Sequence, residues 1–483
     1  MIVAVDIGTS SCKGCGFDEE TLLPLTNWIR KPYEDASPRI WYETCLEVLE
    51  AIVTDPKSSK PPVVVVLSGM MQNVILPHEE RCIPYNDATY AWKAHEHYVK
   101  KGIAARLKKT TGNYKDSASI AAKLHQLQYE KKYKKPQPVI FGAHSYVAWR
   151  LLNIKDEGLL CDPTTASTTG LIDSSTGVWI ANGLIKSAGL TNFIFPRLLQ
   201  DASRVVGHVF MENHRESKLN GLPLIHGSGD LGSLVAAVDQ WGFSTHAYLG
   251  TSGWIARVVP KSLQLQQDVF VLAHPTDPTK VVHAMPTTCA GFNASKWAKT
   301  LCDSSPAQLD IKAGQANVNL SSVIYLPYLK GERAPVSMPQ ARAAFLGLTG
   351  DTSKEDMALA VLCGVAYQFR WLLDSFDTNK KYPTQLCLLG GGSGSSMWKQ
   401  VFSDVLNAPV RTLNDRQEID ETVWGAACIA VHGRSKKLTF PENMWIDTKP
   451  RRELVKRHDE MYSYWHRAAT DLKDLFSRPS AKL

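Results

Sequence analysis

The sequence predicts a two-domain α/β protein, and three observations point to it. The 483 residues exceed what one hydrophobic core can organise, because single cores stop growing at roughly 250–300 residues. Short apolar runs that end in Gly-rich turns alternate with helical stretches, the pattern of sheets flanked by helices. One turn motif, Gly-Thr-Ser, stands at residues 8–10 and again at 250–252, half a chain apart, which suggests two related halves.

Residues 2–6 (IVAVD) form an apolar run ending in Asp6, and Cys15-Gly16-Phe17 follows a tip that carries Gly8, Thr9 and Ser10. Strand, tight turn and strand make a hairpin. A helix is expected around 41–53. Residues 63–67 are apolar at every position, which suits a strand covered on both faces. Residues 96–155 read as mainly helical. Leu224-Ile225 opens another strand that empties into Gly227-Ser228-Gly229-Asp230, with a helix over 231–239. Ala247-Tyr248-Leu249 then repeats the strand before Gly250-Thr251-Ser252-Gly253. A third Gly-rich turn, residues 390–394, leads into a helix from about Ser396, and a closing helix is expected beyond about 450. The domain boundary falls near 242, giving an N-terminal domain of 1–241 and a C-terminal domain of 242–483.

At 44% hydrophobic and 21% charged residues, the composition excludes a disordered chain. The net charge of +7 is scattered, and its short clusters at 131–135 and 451–452 read as solvated surface, so no nucleic-acid partner is expected. The ten cysteines lack zinc or disulfide spacing and read as reduced thiols. Cys12 and Cys15 form a C-x-x-C, but three residues apart on a strand they point to opposite faces. The chain opens on a strand without a signal-peptide pattern, and no window reaches the ~20 apolar residues that span a bilayer. A cytoplasmic protein without a membrane partner is expected, and homodimerisation is compatible with the sequence.

Gly-rich turns offer backbone N–H groups to phosphate oxygens without side-chain obstruction. Two Gly-Thr-Ser turns facing one another would clamp a triphosphate. A P-loop mechanism is excluded by the lack of G-x-x-x-x-G-K-[ST]. Any one of these turns is an ordinary loop. Their joint order carries the signal.

That order is Val5-Asp6-Ile7-Gly8-Thr9-Ser10, then Asp162 to Leu171 with Trp179, then Gly229-Asp230 and Leu249-Gly250-Thr251-Ser252-Gly253. It continues with Gly331-Glu332-Arg333-Ala334-Pro335, Ala343 to Leu348, and LLGGGSGSSMW from Leu388. Over residues 2 to about 432 the chain resembles the FGGY carbohydrate kinases, within the sugar kinase, Hsp70 and actin superfamily. The resemblance implies two actin-like ATPase (ribonuclease H-like) α/β domains with a cleft between them, the first binding sugar and the second ATP. It implies Asp230 as the base that accepts the sugar hydroxyl proton, a helix-start carboxylate being the structural role compatible with it. Asp6 would hold Mg²⁺ through water. Thr9, Ser10, Gly250, Thr251 and Ser252 would touch phosphates, while Gly391, Gly392 and Ser396 would pass beneath the adenine. Trp398 fits a core role better than a ligand contact. Glu332 and Arg333 would pair with one another near the ATP side.

The sugar motifs depart from those of xylulokinases, which carry Met-His-Gly and, further on, Trp-Asn-Asp-x-Arg. Here Met71-Gln72-Asn73 and Trp92-Lys93-Ala94-His95 stand instead. Sugar hydroxyls that lose a buried carboxylate would be left unpaired, at roughly 1–3 kcal/mol each. Gln72, Asn73, Lys93 and His95 are the natural replacements. A pentulose such as D-xylulose is the first reading, on Thr111-Gly112-Asn113 and the 343–348 segment. Gluconate or another sugar acid or polyol is the alternative, since Glu-Arg-Ala-Pro is similar to gluconokinases. A catalytically weakened regulatory or chaperone-like ATP-binding protein is the alternative from another class.

Overall fold

The computed structural model describes residues 1–473 other than 36, 88, 212–215, 264–268, 320, 377–382, 415–419 and 433–443. Two large sheets organise them. The first is built from β1 (Ile2–Ile7), β2 (Ser11–Phe17), β3 (Ile29–Pro32), β4 (Val64–Gly69), β5 (Val205–His208) and β6 (Pro223–Gly229), in the order β5-β6-β4-β1-β2-β3. The second contains β7 (Thr245–Leu249), β8 (Gly253–Pro260), β9 (Phe270–Ala273), β10 (Lys280–Thr287), β11 (Leu386–Leu389), β12 (Val410–Leu413) and β13 (Trp445–Thr448). Its order is β9-β10-β8-β7-β11-β12-β13.

The halves repeat one plan. β1 pairs antiparallel with β2 and parallel with β4, as β7 pairs antiparallel with β8 and parallel with β11. Each Gly-Thr-Ser turn is therefore the hairpin tip at a corresponding place in its sheet. β1 and β4 are buried at every position. Helices must cover both faces of such strands. The principal helices are α1 (Pro38–Val53), α2 (Trp92–Lys100), α3 (Ile120–Lys131), α4 (Ala143–Leu152), α5 (Pro163–Thr168), α6 (Asp230–Gln240), α7 (Gly291–Cys302), α8 (Lys354–Asp374), α9 (Ser396–Leu406), α10 (Glu421–Val431) and α11 (Arg452–Asp471).

α1 and α4 bury Trp41, Val48, Tyr146 and Val147 against one face of the first sheet. The opposite face is covered by α10, a helix from the far end of the chain, whose Val423, Ala427 and Ile429 join Ile2, Ala4 and Val66. α6 makes the reverse journey: it leaves β6 of the first sheet and packs Leu234 and Val238 on Cys387 and Leu389 of the second. All first-sheet strands precede residue 230 and all second-sheet strands follow 244, yet packing does not divide at one point in the chain. α8 is, among the described residues, the one helix long and apolar enough to cross a membrane, and its apolar window is 83% buried inside the second core.

Two stretches differ from the sequence reading. Residues 96–155 hold helices separated by short strands at Gln137–Pro138 and Ile140–Gly142, the second of which pairs with Met71–Leu76. The helix after β6 begins at Asp230 itself, with Gly229 in the cap position. None of the ten cysteines is bonded to another, and Cys12 and Cys15 enter cores on opposite faces.

The exchanged helices touch closely at Gly425, where a Cβ would lie 2.0 Å from the Ser233 carbonyl oxygen. A backbone neighbour cannot swing aside as a flexible side chain can. Gly425→Val is expected to destabilise the fold by about 2–3 kcal/mol, read as a lower urea midpoint with unchanged slope. A wild-type midpoint would show that the helices separate freely.

Candidate active site

The first hairpin tip is closed by the Gly8 N–H donating to Ser11 O (3.1 Å), with Thr9 and Ser10 exposed. In the second, Gly250 O accepts from Gly291 N (2.8 Å), and Thr251 O accepts from Ala290 N (3.0 Å) and Phe292 N (3.1 Å). The start of α7 is thereby satisfied, leaving Thr251 exposed and Ser252 half-buried at the tip. Gly390 adopts φ +85° and its N–H donates to Glu421 Oε1 (3.2 Å). A Cβ on Gly392 would lie 2.4 Å from the Leu249 side chain, whereas Gly391 faces open space. Ser396 is exposed at the first residue of α9. Trp398 is buried in the core of the second half.

Four carboxylates and one ammonium converge between these turns. Asp6 lies opposite Lys13 in the hairpin register. Lys13 Nζ reaches Asp420 Oδ2 at 2.7 Å, and Asp420 caps α10 by accepting from the Thr422 and Val423 N–H groups. Asp6 is buried, and its Oδ1 has no hydrogen-bond partner. Burial pushes the Asp6 carboxyl up, against the pull of Lys13. Burial would depress Lys13, but the charges of Asp420 and Asp6 carry it to about 12. Asp230 is raised to about 7 by burial and then by the charge of Asp6, opposed by the Leu231 N–H at 2.8 Å. Glu421 is raised to about 7 by burial and by Asp420. Tyr248 of the second sheet, stacked on Trp254 with centroids 4.1 Å apart, is pushed up by burial and by Glu421, Asp420, Asp230 and Asp6. The carboxylates of both halves thus act on one hydroxyl.

Tyr85 is likewise raised by burial and then by the Asp230 charge, and its hydroxyl interacts with Thr9. The Tyr85 N–H donates to Asn73 Oδ1 (3.0 Å), and the buried Asn73 Nδ2 has no partner. Gln72 holds the left-handed conformation at φ +64°, costly for a residue with a Cβ, and its Nε2 donates to Thr168 O (3.4 Å). His95 Nδ1 lies 2.9 Å from the Tyr114 hydroxyl. Ala94 is buried among Ala91, Ala122 and Tyr90, so this position contributes only apolar surface.

The chain matches the FGGY family of carbohydrate kinases, N-terminal domain, over residues 1–236 and C-terminal domain over residues 247–434. It belongs to that family. Among relatives of this FGGY kinase, the xylulose kinase of Staphylococcus xylosus is 24% identical over 473 residues, covering 92% of this chain and 94% of that one. The xylulose kinase of Escherichia coli K12 is 24% identical over 476 residues, covering 95% and 94%. In structure it resembles the ligand-bound xylulose kinase from Lactobacillus acidophilus (TM-score 0.81, 20% identity, 98% of both chains). It also resembles gluconate kinase from the same organism (TM-score 0.79, 21% identity, 98% of both). These likenesses establish the two-domain actin-like fold. The protein is a carbohydrate kinase, and its family membership implies a sugar acceptor and the use of ATP.

One sequence expectation for this FGGY kinase is corrected. Glu332 and Arg333 do not pair through their side chains. The Glu332 carboxylate is 2% exposed and accepts from Thr287 Oγ1, the Thr288 N–H and the Arg333 N–H, while the Arg333 guanidinium turns to Asp116 of the first half at 3.8 Å. Lys93 is exposed, with its ammonium 5.8 Å from the Trp92 ring. Lys13, Tyr85, Tyr248, Asp420 and Glu421 escaped the sequence reading. Lys13 could have been found by folding the hairpin about its tip, which sets residue 13 beside residue 6. Asp420 could have been found as an N-cap acid two residues before Thr422 and an apolar run.

A base must be ionised to accept a proton, so if Asp230 fills that role kcat/KM is expected to rise with pH and level off above about pH 7. The sign for stability is opposite. A carboxyl whose value is raised in the native state holds its proton more tightly there, so its stabilising contribution is lost as pH rises through about 7. Asp230→Asn is therefore expected to melt about 2–4 °C above wild type at pH 8, with the difference shrinking at pH 5. A lower Tm at both values would show that the ionised carboxylate is favourably held.

Proposed function

We propose that this kinase transfers the γ-phosphoryl group of ATP to a hydroxyl of a small sugar, with Asp230 as general base. The observation that carries this reading is that the charges of Asp6, Asp230, Asp420 and Glu421 all act on the Tyr248 hydroxyl, two residues before the second Gly-Thr-Ser tip. Phosphoryl transfer is mostly positioning and charge stabilisation, so donors belong on the phosphates and a base on the acceptor. Thr9, Ser10, Gly250, Thr251 and Ser252 offer backbone N–H groups and hydroxyls for the phosphates. Gly391, with nothing within 4 Å of a Cβ built on it, leaves room for a flat ring, with Gly392 and Ser396 beside it. Asp230 takes the proton as the sugar oxygen attacks.

The unpartnered buried Oδ1 of Asp6 fits a hydrated cation, and Asp6 would hold Mg²⁺ through water. Bound there, the ion would neutralise charge on the phosphates.

A pentulose such as D-xylulose is the preferred acceptor, supported by the two xylulose kinases aligned along nearly the whole chain. Asn73, with its free Nδ2, and Gln72 and His95 would meet its hydroxyls, and Lys93 would lie at the periphery. A sugar acid such as gluconate is the second reading. Arg333, whose charge acts on Tyr85 beside Asp230, would meet its carboxylate.

ADP release measured across pentuloses, hexuloses, aldonates and glycerol tests the acceptor. The highest kcat/KM is expected with a pentulose, and preference for an aldonate would move the assignment to the second reading. ATP binding without turnover on any of them would point to a regulatory protein. Asp230→Asn is expected to lower kcat by at least ~100-fold while leaving ATP affinity unchanged. Near wild-type turnover in that variant would remove Asp230 from its role.

A further inference from the structure

Beneath the proposed base lies a polar network that the reaction itself does not use. Asp162, fully buried at the start of α5, accepts from Ser228 Oγ (2.6 Å) and the Thr165 N–H (3.0 Å) through Oδ1. Its Oδ2 lies 2.9 Å from His144 Nε2, and the His226 ring packs edge-on against His144 with centroids 5.1 Å apart. An isolated carboxylate would not survive such burial as an ion. Although burial opposes it, the bonds from His144 and Ser228 hold this carboxyl well below the usual range.

Potential ligand atoms of His144, Asp162 and His226 lie within 4.8 Å of one another, a grouping that could hold a metal ion. The geometry favours a hydrogen-bonded network. Both Asp162 oxygens already carry bonds, and His144 Nδ1 is packed against Gly142, where a Cβ would lie 2.8 Å away.

Two connections leave Asp162. One runs through Ser228, the penultimate residue of β6, to Asp230. That turn is pinned on both sides: Gly227 adopts φ +71° with Leu67 O where a Cβ would stand, and a Cβ on Gly232 would lie 2.1 Å from Ser228 Oγ. The other runs through α5 to the second sheet. Thr164 Oγ1 donates to Ala273 O (2.9 Å), and Ser167 Oγ accepts from Ala273 N (3.0 Å). Asn113 extends this row, accepting from Val271 N (2.9 Å) and donating to Val271 O (2.7 Å) and Ser167 O (2.9 Å). Side chains of the first half thereby complete the edge strand β9 of the second.

We infer that Asp162 is a positioning residue for phosphoryl transfer, fixing the Ser228–Asp230 turn through the Ser228 hydroxyl and registering it, through α5, against β9 of the other half. This rests on the reading of Asp230 as the base. Asp162 touches no substrate. It holds the reacting carboxylate at one place relative to both halves, and a small displacement of such a group is costly in rate.

The test uses the full-length enzyme with its best sugar and Mg-ATP, and kcat is expressed per nucleotide-binding site. Ser228→Ala, which removes one oxygen without adding bulk, is expected to lower kcat about 10- to 100-fold while KM for sugar and for ATP stays within about twofold. Asp162→Asn, nearly isosteric, is expected to do the same. Adding Ser228→Ala to Asp230→Asn is expected to cost nothing further, because no base remains to be positioned. If Asp230→Asn slows the enzyme but Ser228→Ala and Asp162→Asn keep wild-type kcat, the positioning role fails and the base reading stands. Full activity in Asp230→Asn removes the base reading instead. An equal loss from Ser228→Ala in both backgrounds, or stoichiometric zinc in purified enzyme that Asp162→Asn abolishes, would overturn the inference in favour of a purely structural or metal-binding role.

Discussion

The architecture depends on the close crossing of α6 and α10 at Gly425 and Ser233. Each helix is continuous with one half and packed on the sheet of the other, so each sheet has a face covered by chain from the far half. Trp241 and Trp424 stack beside the crossing with centroids 4.9 Å apart, and Trp424 Nε1 donates to Leu22 O. The same exchange brings two acids of the candidate site together, because Asp230 opens α6 and Asp420 caps α10. Both acids are delivered to one place by the beginnings of two helices whose bodies are locked together. Helix N-termini favour negative charge, which helps each tolerate a carboxylate there.

The cluster is unbalanced by design of its surroundings. Asp6, Asp230, Asp420 and Glu421 face the single ammonium of Lys13 in that group. The imbalance is relieved unequally. Asp420 keeps the direct bond to Lys13 and stays below its ordinary value, while Asp230 and Glu421 rise to about 7 and are partly protonated near neutrality. Two carboxyls are thereby placed to exchange protons near neutral pH, the property the proposed base needs. Their neighbour Asp6 keeps an oxygen free of protein hydrogen bonds.

Much of this was legible in the sequence because the informative parts are local. Apolar runs ending in Gly-Thr-Ser turns identify strands and tips, and their repetition half a chain apart anticipates the matching order of β2-β1-β4 and β8-β7-β11. Asp6 and Asp230 are visible as acids at strand ends. What escaped is non-local. The Lys13–Asp420 bond spans 407 residues, and nothing near Arg333 in sequence foretells Asp116 as its partner. The Glu332–Arg333 pairing failed for a related reason: adjacency along the chain says little about which side chain is buried, and Glu332 is consumed by Thr287 and Thr288. Ala94 announces a lost carboxylate, but only the packed neighbours Ala91 and Ala122 show that apolar contacts have filled the gap.

The row formed by Asn113, Ser167 and Thr164 along β9 has a meaning apart from the reaction. An edge strand offers unpaired N–H and C=O groups to any other strand that meets it, a standing hazard for self-association. Here that border is sealed by side-chain amides and hydroxyls that imitate a neighbouring strand without supplying one. Any motion that drew the halves apart at this point would bare the border, so resistance to aggregation and the freedom of the halves to move are governed by the same few bonds.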